Sequence, residues 1–116
     1  MLRGVRGAIT VKSNCVSEIT ESTAMLLNTM KSSNDIEEQD IGAIIFSSTA
    51  DLTASFPAAG ARKMGWGDAP LFGTQEIDNS DGLNMCIRVL ILWNTTLNPK
   101  KIKHVYLKGA EVLKQI

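Results

Sequence analysis

The chain has 116 residues, enough for one domain, and its twelve basic and twelve acidic side chains give a formal net charge of zero. A neutral chain has no overall field to attract nucleic acid or a membrane surface, and its longest apolar stretch is far too short to span a bilayer. Cys15 and Cys86 lack metal-ligand spacing and the N-terminus lacks a signal-peptide pattern, so we expect a reduced, cytoplasmic protein with a single domain over residues 1–116.

The first half of the chain alternates between strand and helix patterns. Its predicted elements are a strand over residues 2–11, a helix over about 16–30, a helical turn over 35–40 and a strand over 41–47. The helix is predicted from apolar residues at helical spacing, and Asn14 or Ser17 is its expected N-cap.

Proline and glycine mark the next helix, because Pro57 suits a first helical turn and Gly65 suits a helix end. The later predicted elements are a helix over residues 57–64, a strand over 69–76, a turn over 79–82, a strand over 86–93, a helical turn over 99–102 and a strand over 103–107. This order predicts an α+β fold with a five-stranded mixed sheet and helices on one face.

One charged residue, Arg88, lies inside the apolar run of residues 86–93. That run is apolar on both faces, which predicts a strand covered on both sides. A guanidinium keeps its proton and is costly to bury without a partner, so an anion is expected to meet it. The anion is either a ligand or a carboxylate from a distant segment, such as Asp51 or Glu76, and the strand alone favours neither.

The apolar run also predicts association between copies of the chain. Two or three helices cover only one face of a five-stranded sheet, yet residues 86–93 are apolar on both faces. We therefore expect the second face to meet other subunits.

Several polar residues fall at or near the ends of the predicted strands. Arg3 and Arg6 are three residues apart, so strand geometry places them on opposite faces, one toward solvent and one toward a pocket. Arg62 lies on the short helix, Glu76 ends a strand and Tyr106 lies on the last strand. Each has an ordinary structural role, but together they suit a small polyanion that carries a hydroxyl.

Six short segments follow one another in the order and approximate spacing of a known family. They are residues 3–8 (RGVRGA), 51–52 (DL), 56–58 (FPA), 75–76 (QE), 86–89 (CIRV) and 104–107 (HVYL). Together they resemble the monofunctional, non-helical class of bacterial chorismate mutases over nearly the whole chain. The resemblance implies a homotrimer that forms a pseudo α/β-barrel, with three active sites at the subunit interfaces.

The resemblance also implies a reaction, the rearrangement of chorismate to prephenate in phenylalanine and tyrosine synthesis, with no cofactor and no metal. By resemblance, Arg88 would donate to the ether oxygen and a carboxylate, Arg6 would bind a carboxylate, and Glu76 would accept a hydrogen bond from the ring hydroxyl. Tyr106 would assist at the carboxylate, and Arg62 would attract or close over the dianion. The remaining predicted substrate contacts are Phe56, Ala58, Leu71, Phe72, Gly73 and Leu113.

The chain departs from the family at four places. Gly73 stands where many members have Cys, Ala59 replaces a basic or small residue, and Lys114 stands where Arg is usual. The tail, which stops at Ile116, is shorter than the family's and tends in that family to fold over the site. We expect these departures to change substrate affinity more than the chemistry.

Two other functions fit parts of the pattern. A non-catalytic trimer that binds an aromatic or enol-acid metabolite would use the same groups, so only turnover separates it from an enzyme. An imine-hydrolysing enzyme of the related small trimeric fold also uses an interfacial arginine. That function is disfavoured, because it gives the motifs at residues 3–8, 75–76 and 106 no reason to occur together.

Overall fold

Five strands and two helices follow one another in the predicted order in the computed structural model, which describes residues 1–115. They are β1 (Leu2–Thr10), α1 (Val16–Asn34), β2 (Ile41–Ser48), α2 (Ala58–Lys63), β3 (Leu71–Gln75), β4 (Cys86–Asn94) and β5 (Val105–Leu107). Short 3₁₀ segments occur at Glu38–Asp40, Pro99–Lys101 and Lys108–Gln115. Among the described residues, no helix is both long and apolar enough to cross a membrane.

The strands form one mixed sheet in the order β3-β2-β4-β1-β5. The central strand β4 is antiparallel to both β1 and β2, whereas β5 is parallel to β1 and β3 is parallel to β2. The α+β fold with a five-stranded mixed sheet, expected from the sequence, is therefore confirmed.

The core lies between one face of this sheet and α1. The buried stripe of α1 includes Ile19, Leu26, Leu27 and Met30. It packs in one cluster with the sheet residues Val5, Ile9, Ile44, Phe46, Ile87, Val89, Ile91 and Trp93. Burying each large apolar side chain contributes roughly 1.5–3 kcal/mol, so this layer is the main source of stability.

The start of α1 differs from the prediction. Cys15 occupies the N-cap position with an extended backbone, whereas Asn14 or Ser17 was expected. The Asn14 side chain instead binds a distant loop, donating to the hydroxyl of Thr53 at 2.9 Å and accepting from the backbone N–H groups of Thr53 and Ala54. Asn14 thereby fixes the loop that leads into α2.

The second face of β4 is largely open within a single chain. Ile87, Val89, Ile91 and Trp93 point into the core, but Leu90 and Leu92 are only half-buried and Arg88 is exposed. Both helices pack on the core face, so the coverage of the second face by other subunits stays a prediction. The C-terminal segment Lys108–Gln115 covers one corner of the open face, where Ala110 is fully buried.

Candidate active site

A row of residues crosses the open face of the sheet at the level of Arg88. Ser47 on β2 is paired with Arg88 on β4, Arg88 with Ala8 on β1, and Ala8 with Tyr106 on β5. Residues paired in register point to the same side of a sheet. The side chains of Ser47, Arg88 and Tyr106 therefore share the face that the helices leave open.

A cleft of about 330 Å³ lies over this row. Arg6 and Arg88 bring two positive charges to it, and its apolar walls include Ala8, Ile45, Val89, Leu90 and Leu113. Arg6 is paired with Leu90, two residues along β4 from Arg88, which sets the two arginine backbones roughly 7–8 Å apart. Two cationic side chains on neighbouring strands of one cleft suit a small molecule with two anionic groups.

Arg88 has a partner within the chain, the Glu76 carboxylate that the sequence left open as an alternative to a ligand. Its Nε lies 3.7 Å from Oε1 of Glu76, and the side chains of Arg88 and Glu76 are 47% and 30% exposed. An N–H···O hydrogen bond needs about 2.7–3.2 Å, and an exposed ion pair contributes only about 0–1 kcal/mol. The carboxylate alternative is thus observed, but as a loose pair that leaves Arg88 able to bind an incoming anion.

The two N-terminal arginines lie on opposite faces, as the sequence predicts. Arg6 lines the cleft, whereas Nε of Arg3 donates to the backbone carbonyl of Leu97 at 3.2 Å. The backbone N–H of Arg6 donates to Nδ1 of His104 at 2.9 Å. Burial and the charge of Arg6 lower the pKa of His104, which favours the neutral ring that accepts this bond.

A second cavity, of about 690 Å³, lies on the other side of Arg88 and Glu76. The loop of residues 77–84 forms much of its wall. Asp51, part of the DL motif, accepts hydrogen bonds from the backbone N–H of Met85 and the hydroxyl of Thr49. It thereby holds Met85 at a positive φ of 50° immediately before β4. We assign Asp51 to positioning the start of the Arg88 strand.

The predicted site residues fall into two groups. Arg6, Arg88, Tyr106 and Leu113 line the cleft, whereas Glu76 lines the second cavity and contacts Arg88, which lines both. The other predicted residues do not line it; they are Phe56 and Ala58 at the start of α2, Arg62 on α2, and Leu71, Phe72 and Gly73 on β3. Phe56 and Phe72 are 80% and 64% exposed. Phe72 lies on the edge strand β3 and Phe56 lies two residues before α2, and we call the predicted residues of these two segments the second surface.

Comparison with known proteins decides the family. Residues 2–115 match the family model for chorismate mutase type I. The chain belongs to the type I chorismate mutase family. It is 41% identical over 111 residues to chorismate mutase AroH of Thermus thermophilus, an alignment that covers 95% of this chain and 91% of that protein.

Two further relatives agree. The chain is 38% identical over 115 residues to chorismate mutase AroH of Bacillus subtilis (strain 168), covering 98% of this chain and 91% of that protein. A solved structure of a chorismate mutase from Clostridium thermocellum matches with a TM-score of 0.92 and 48% identity, over 95% of this chain and 98% of that one. The suspected family is therefore confirmed by sequence and by structure.

The departures of this chorismate mutase family member occupy surface positions. Gly73 is exposed on the edge strand β3, and a Cβ at this position would have no heavy atom within 4 Å. Ala59 lies on α2, and Lys114 lies 3.5 Å from Oε1 of Glu111 within the C-terminal segment. Ile116 lies outside the described residues. A side chain at residue 73 would thus extend from the sheet edge without steric conflict.

Sequence reasoning missed one polar residue of the cleft, Ser47. It is the first polar residue after the apolar run of β2, and strand alternation places it on the face opposite Phe46. That signal was present in the sequence, but the pairing of Ser47 with Arg88 depends on the order of the strands, which the sequence pattern does not give.

Proposed function

We propose that the protein catalyses the rearrangement of chorismate to prephenate, at clefts shared between neighbouring copies of the chain. The observation that carries this proposal is the pair of guanidinium groups, Arg6 and Arg88, over an apolar-walled cleft of about 330 Å³. Chorismate is a dianion with one ring hydroxyl and one ether oxygen, and this arrangement matches those groups. Membership in the type I chorismate mutase family supports the same reaction.

The chemistry needs positioning and charge stabilisation rather than a nucleophile. As the ether C–O bond breaks, negative charge grows on its oxygen, and a donor already aimed at that atom lowers the barrier. Arg88 is the donor in our proposal, because it lies at the centre of the row and its contact with Glu76 is loose. Removing one such donor commonly costs about 2.7–4 kcal/mol.

The other groups of the cleft hold the reactive conformer. Arg6 binds a substrate carboxylate, and Tyr106, across Ala8 from Arg88, assists at that end. Glu76 accepts a hydrogen bond from the ring hydroxyl and orients the ring without acting as a base. Holding both ends of a flexible molecule in a compact geometry converts binding free energy into rate.

The assembly that we propose is a homotrimer, with the cleft of each copy completed by the second surface of the next. What supports it is the separation of the predicted residues into a charged cleft and a separate apolar edge with Phe56 and Phe72. Two different surfaces that bind each other make a head-to-tail interface, which closes into a ring of three when a threefold rotation relates the copies. The half-buried Leu90 and Leu92 on the open face would be covered in that ring.

The cellular setting follows from the reaction. We place the enzyme in the cytoplasm, in the synthesis of phenylalanine and tyrosine. This placement rests on the proposed reaction and on the sequence expectation of a reduced, single-domain protein.

The direct test is turnover of chorismate. The purified protein is incubated with chorismate while its ultraviolet absorbance is followed, and prephenate is confirmed by acid conversion to phenylpyruvate. Loss of chorismate with matching formation of phenylpyruvate supports the proposal. Tight binding of chorismate without turnover would instead favour a metabolite-binding protein.

Shared sites have a sharper test in mixed trimers. Arg88→Ala and Arg62→Ala variants, each weakly active alone, are unfolded, mixed and refolded together. If Arg88 and Arg62 come from different copies, about a quarter of the sites in a random mixture contain both wild-type residues, and activity reappears. If both residues serve one site within a single copy, mixing restores nothing.

A further inference from the structure

Ser47 donates a hydrogen bond to the carboxylate that pairs with Arg88. Its Oγ lies 2.8 Å from Oε1 of Glu76, and Nε of Arg88 lies 3.7 Å from that same oxygen. Ser47 and Arg88 are paired across β2 and β4, so the hydroxyl and the guanidinium approach Glu76 from neighbouring strands. One carboxylate oxygen therefore has two competing donors, and the neutral one is the closer.

We propose that Ser47 is a positioning residue for the rearrangement, which holds the Glu76 carboxylate so that it does not close onto Arg88. The inference rests on the proposed function of the cleft. It adds a residue that neither the sequence motifs nor the family resemblance assigned.

In the proposed reaction, Arg88 must keep its N–H groups available for the substrate. A close ion pair between Arg88 and Glu76 would occupy N–H groups that are needed by the substrate, and it would turn the carboxylate away from the ring hydroxyl. The Ser47 hydroxyl satisfies Oε1 at 2.8 Å, which is an ordinary distance for an O–H donor to a carboxylate. Nε of Arg88 remains 3.7 Å from the same Oε1, which is too far for a hydrogen bond.

The hydroxyl is not required to build the strand that carries it. β2 lies inside the sheet, hydrogen-bonded to β4 on one side and β3 on the other. The backbone of Glu76 is held separately, since its N–H donates to the carbonyl of Ser48 at 2.9 Å. Ser47 thus orients the Glu76 side chain, while the sheet orients its backbone.

The test begins with Ser47→Ala beside Ser48→Ala as a matched control. Ser48 is the next residue on the same strand and points to the opposite face. We expect Ser47→Ala to lower kcat for chorismate by about tenfold with little change in KM. Without the Ser47 hydroxyl, Glu76 closes onto Arg88. Arg88 then loses its contact with the ether oxygen, which strengthens as the ether bond breaks. Ser48→Ala should keep kcat and KM close to the wild-type values. The thermal unfolding midpoints of both variants should also stay close to that of wild type.

A conservative variant separates the hydroxyl from the shape of the residue. Ser47→Thr keeps the donor and suits a strand, so it should recover most of the lost kcat. A Ser47→Thr variant as slow as Ser47→Ala would overturn the proposal. So would a Ser47→Ala variant with wild-type kcat.

A double-mutant cycle with Glu76→Ala tests whether Ser47 acts through the carboxylate. If it does, Ser47→Ala should lower kcat almost no further in a protein that already carries Glu76→Ala. If the two substitutions instead lower kcat independently, so that their fold-losses multiply, Ser47 acts elsewhere and the inference is overturned. Inactive wild-type protein would refute the proposed function itself, whereas an active wild type with multiplying losses refutes only the role of Ser47.

Discussion

The side chain of His104 takes the place of a backbone acceptor beside the cleft, because its Nδ1 accepts the N–H of Arg6 at 2.9 Å. The parallel pairing of β1 with β5 begins one residue later, at Gly7 and Val105. A titratable ring thus continues the hydrogen-bonding of the sheet at the residue that we expect to bind a substrate carboxylate.

This contact predicts an acid-sensitive component of stability. Burial and the charge of Arg6 lower the pKa of His104 from its ordinary value of 6.5. Between the lowered folded pKa and 6.5 the unfolded chain binds a proton that the folded chain does not, so stability is fully present above 6.5 and falls as the pH drops below it. Thermal unfolding of wild type and His104→Gln, measured from about pH 8 to about pH 5, should show a steeper loss for wild type. Equal slopes would contradict the prediction.

Replacing Arg88 should remove most of the rate and little of the fold. Because the pair with Glu76 is loose and exposed, Arg88→Ala should cost at most about 1 kcal/mol of stability while kcat falls about 10²–10³-fold. The chorismate assay measures kcat, denaturant unfolding measures the stability, and sedimentation of the same preparation shows whether the copies stay associated. Arg88→Met, which keeps the length without the charge, is the control. If Arg88→Ala unfolds or dissociates while Arg88→Met stays fully active, the arginine is structural.

Gly73 offers a gain-of-affinity variant. A Cβ at this position would have open space around it, so Gly73→Cys should fold normally and gain slightly in strand stability. If a side chain at this position reaches the substrate in the neighbouring copy, the KM for chorismate should fall for Gly73→Cys but not for Gly73→Ala. Identical KM values for the two variants would show that the thiol makes no contact.

Gly60 lies where α2 packs directly against Thr20 and Thr23 of α1. A Cβ there would lie 2.8 Å from the carbonyl oxygen of Thr20, and it would overlap Cβ of Thr23 at 2.5 Å. Gly60→Ala should therefore destabilise the protein by about 1–3 kcal/mol, since the helices must separate. Gly67→Ala is the matched control, because its Cβ would meet no atom within 4 Å. Denaturant unfolding of both variants measures the difference, and similar midpoints would contradict the packing argument.

The sequence predicts the elements well because their patterns are local. The apolar periodicity of α1, the proline and glycine around α2 and the apolar run of β4 each depend on neighbouring residues, and all three were confirmed. The predicted N-cap was wrong because the Asn14 side chain accepts hydrogen bonds instead from the backbone of Thr53 and Ala54, about 40 residues away in the sequence. The capping propensity of asparagine does not account for a distant segment that competes for its side chain.

The candidate site was less predictable because it depends on strand order and on other copies of the chain. Nothing local indicates that Ser47 lies beside Arg88, or that Glu76 comes within 3.7 Å of it. An apolar run also looks the same whether a helix or another subunit covers it. The run predicts that other subunits cover the face of Arg88, and in one chain the Arg88 side chain is 47% exposed.

The C-terminal segment predicts a separation between binding and chemistry. Gly109 N–H donates to the hydroxyl of Thr10 at 2.9 Å, and Ala110 is fully buried against the sheet, so the segment is anchored at its start. Leu113 lies beyond this anchor and lines the cleft. Truncation after Leu107 should raise KM more than it lowers kcat, because it removes an apolar wall but neither arginine.

A point variant tests this wall without disturbing the anchor. Leu113→Ala keeps the contacts of Gly109 and Ala110, so it should reproduce the rise in KM while the unfolding midpoint stays near wild type. Val112→Ala is the control, since Val112 is 58% exposed. Losing the contact of this partly buried leucine weakens binding by roughly 1–3 kcal/mol, or about 5- to 150-fold in KM. A wall that only binds substrate stabilises the ground and transition states alike, so its loss raises KM and leaves kcat unchanged. Equal losses in kcat and 1/KM for Leu113→Ala would therefore mean that the segment also acts on the reacting conformer.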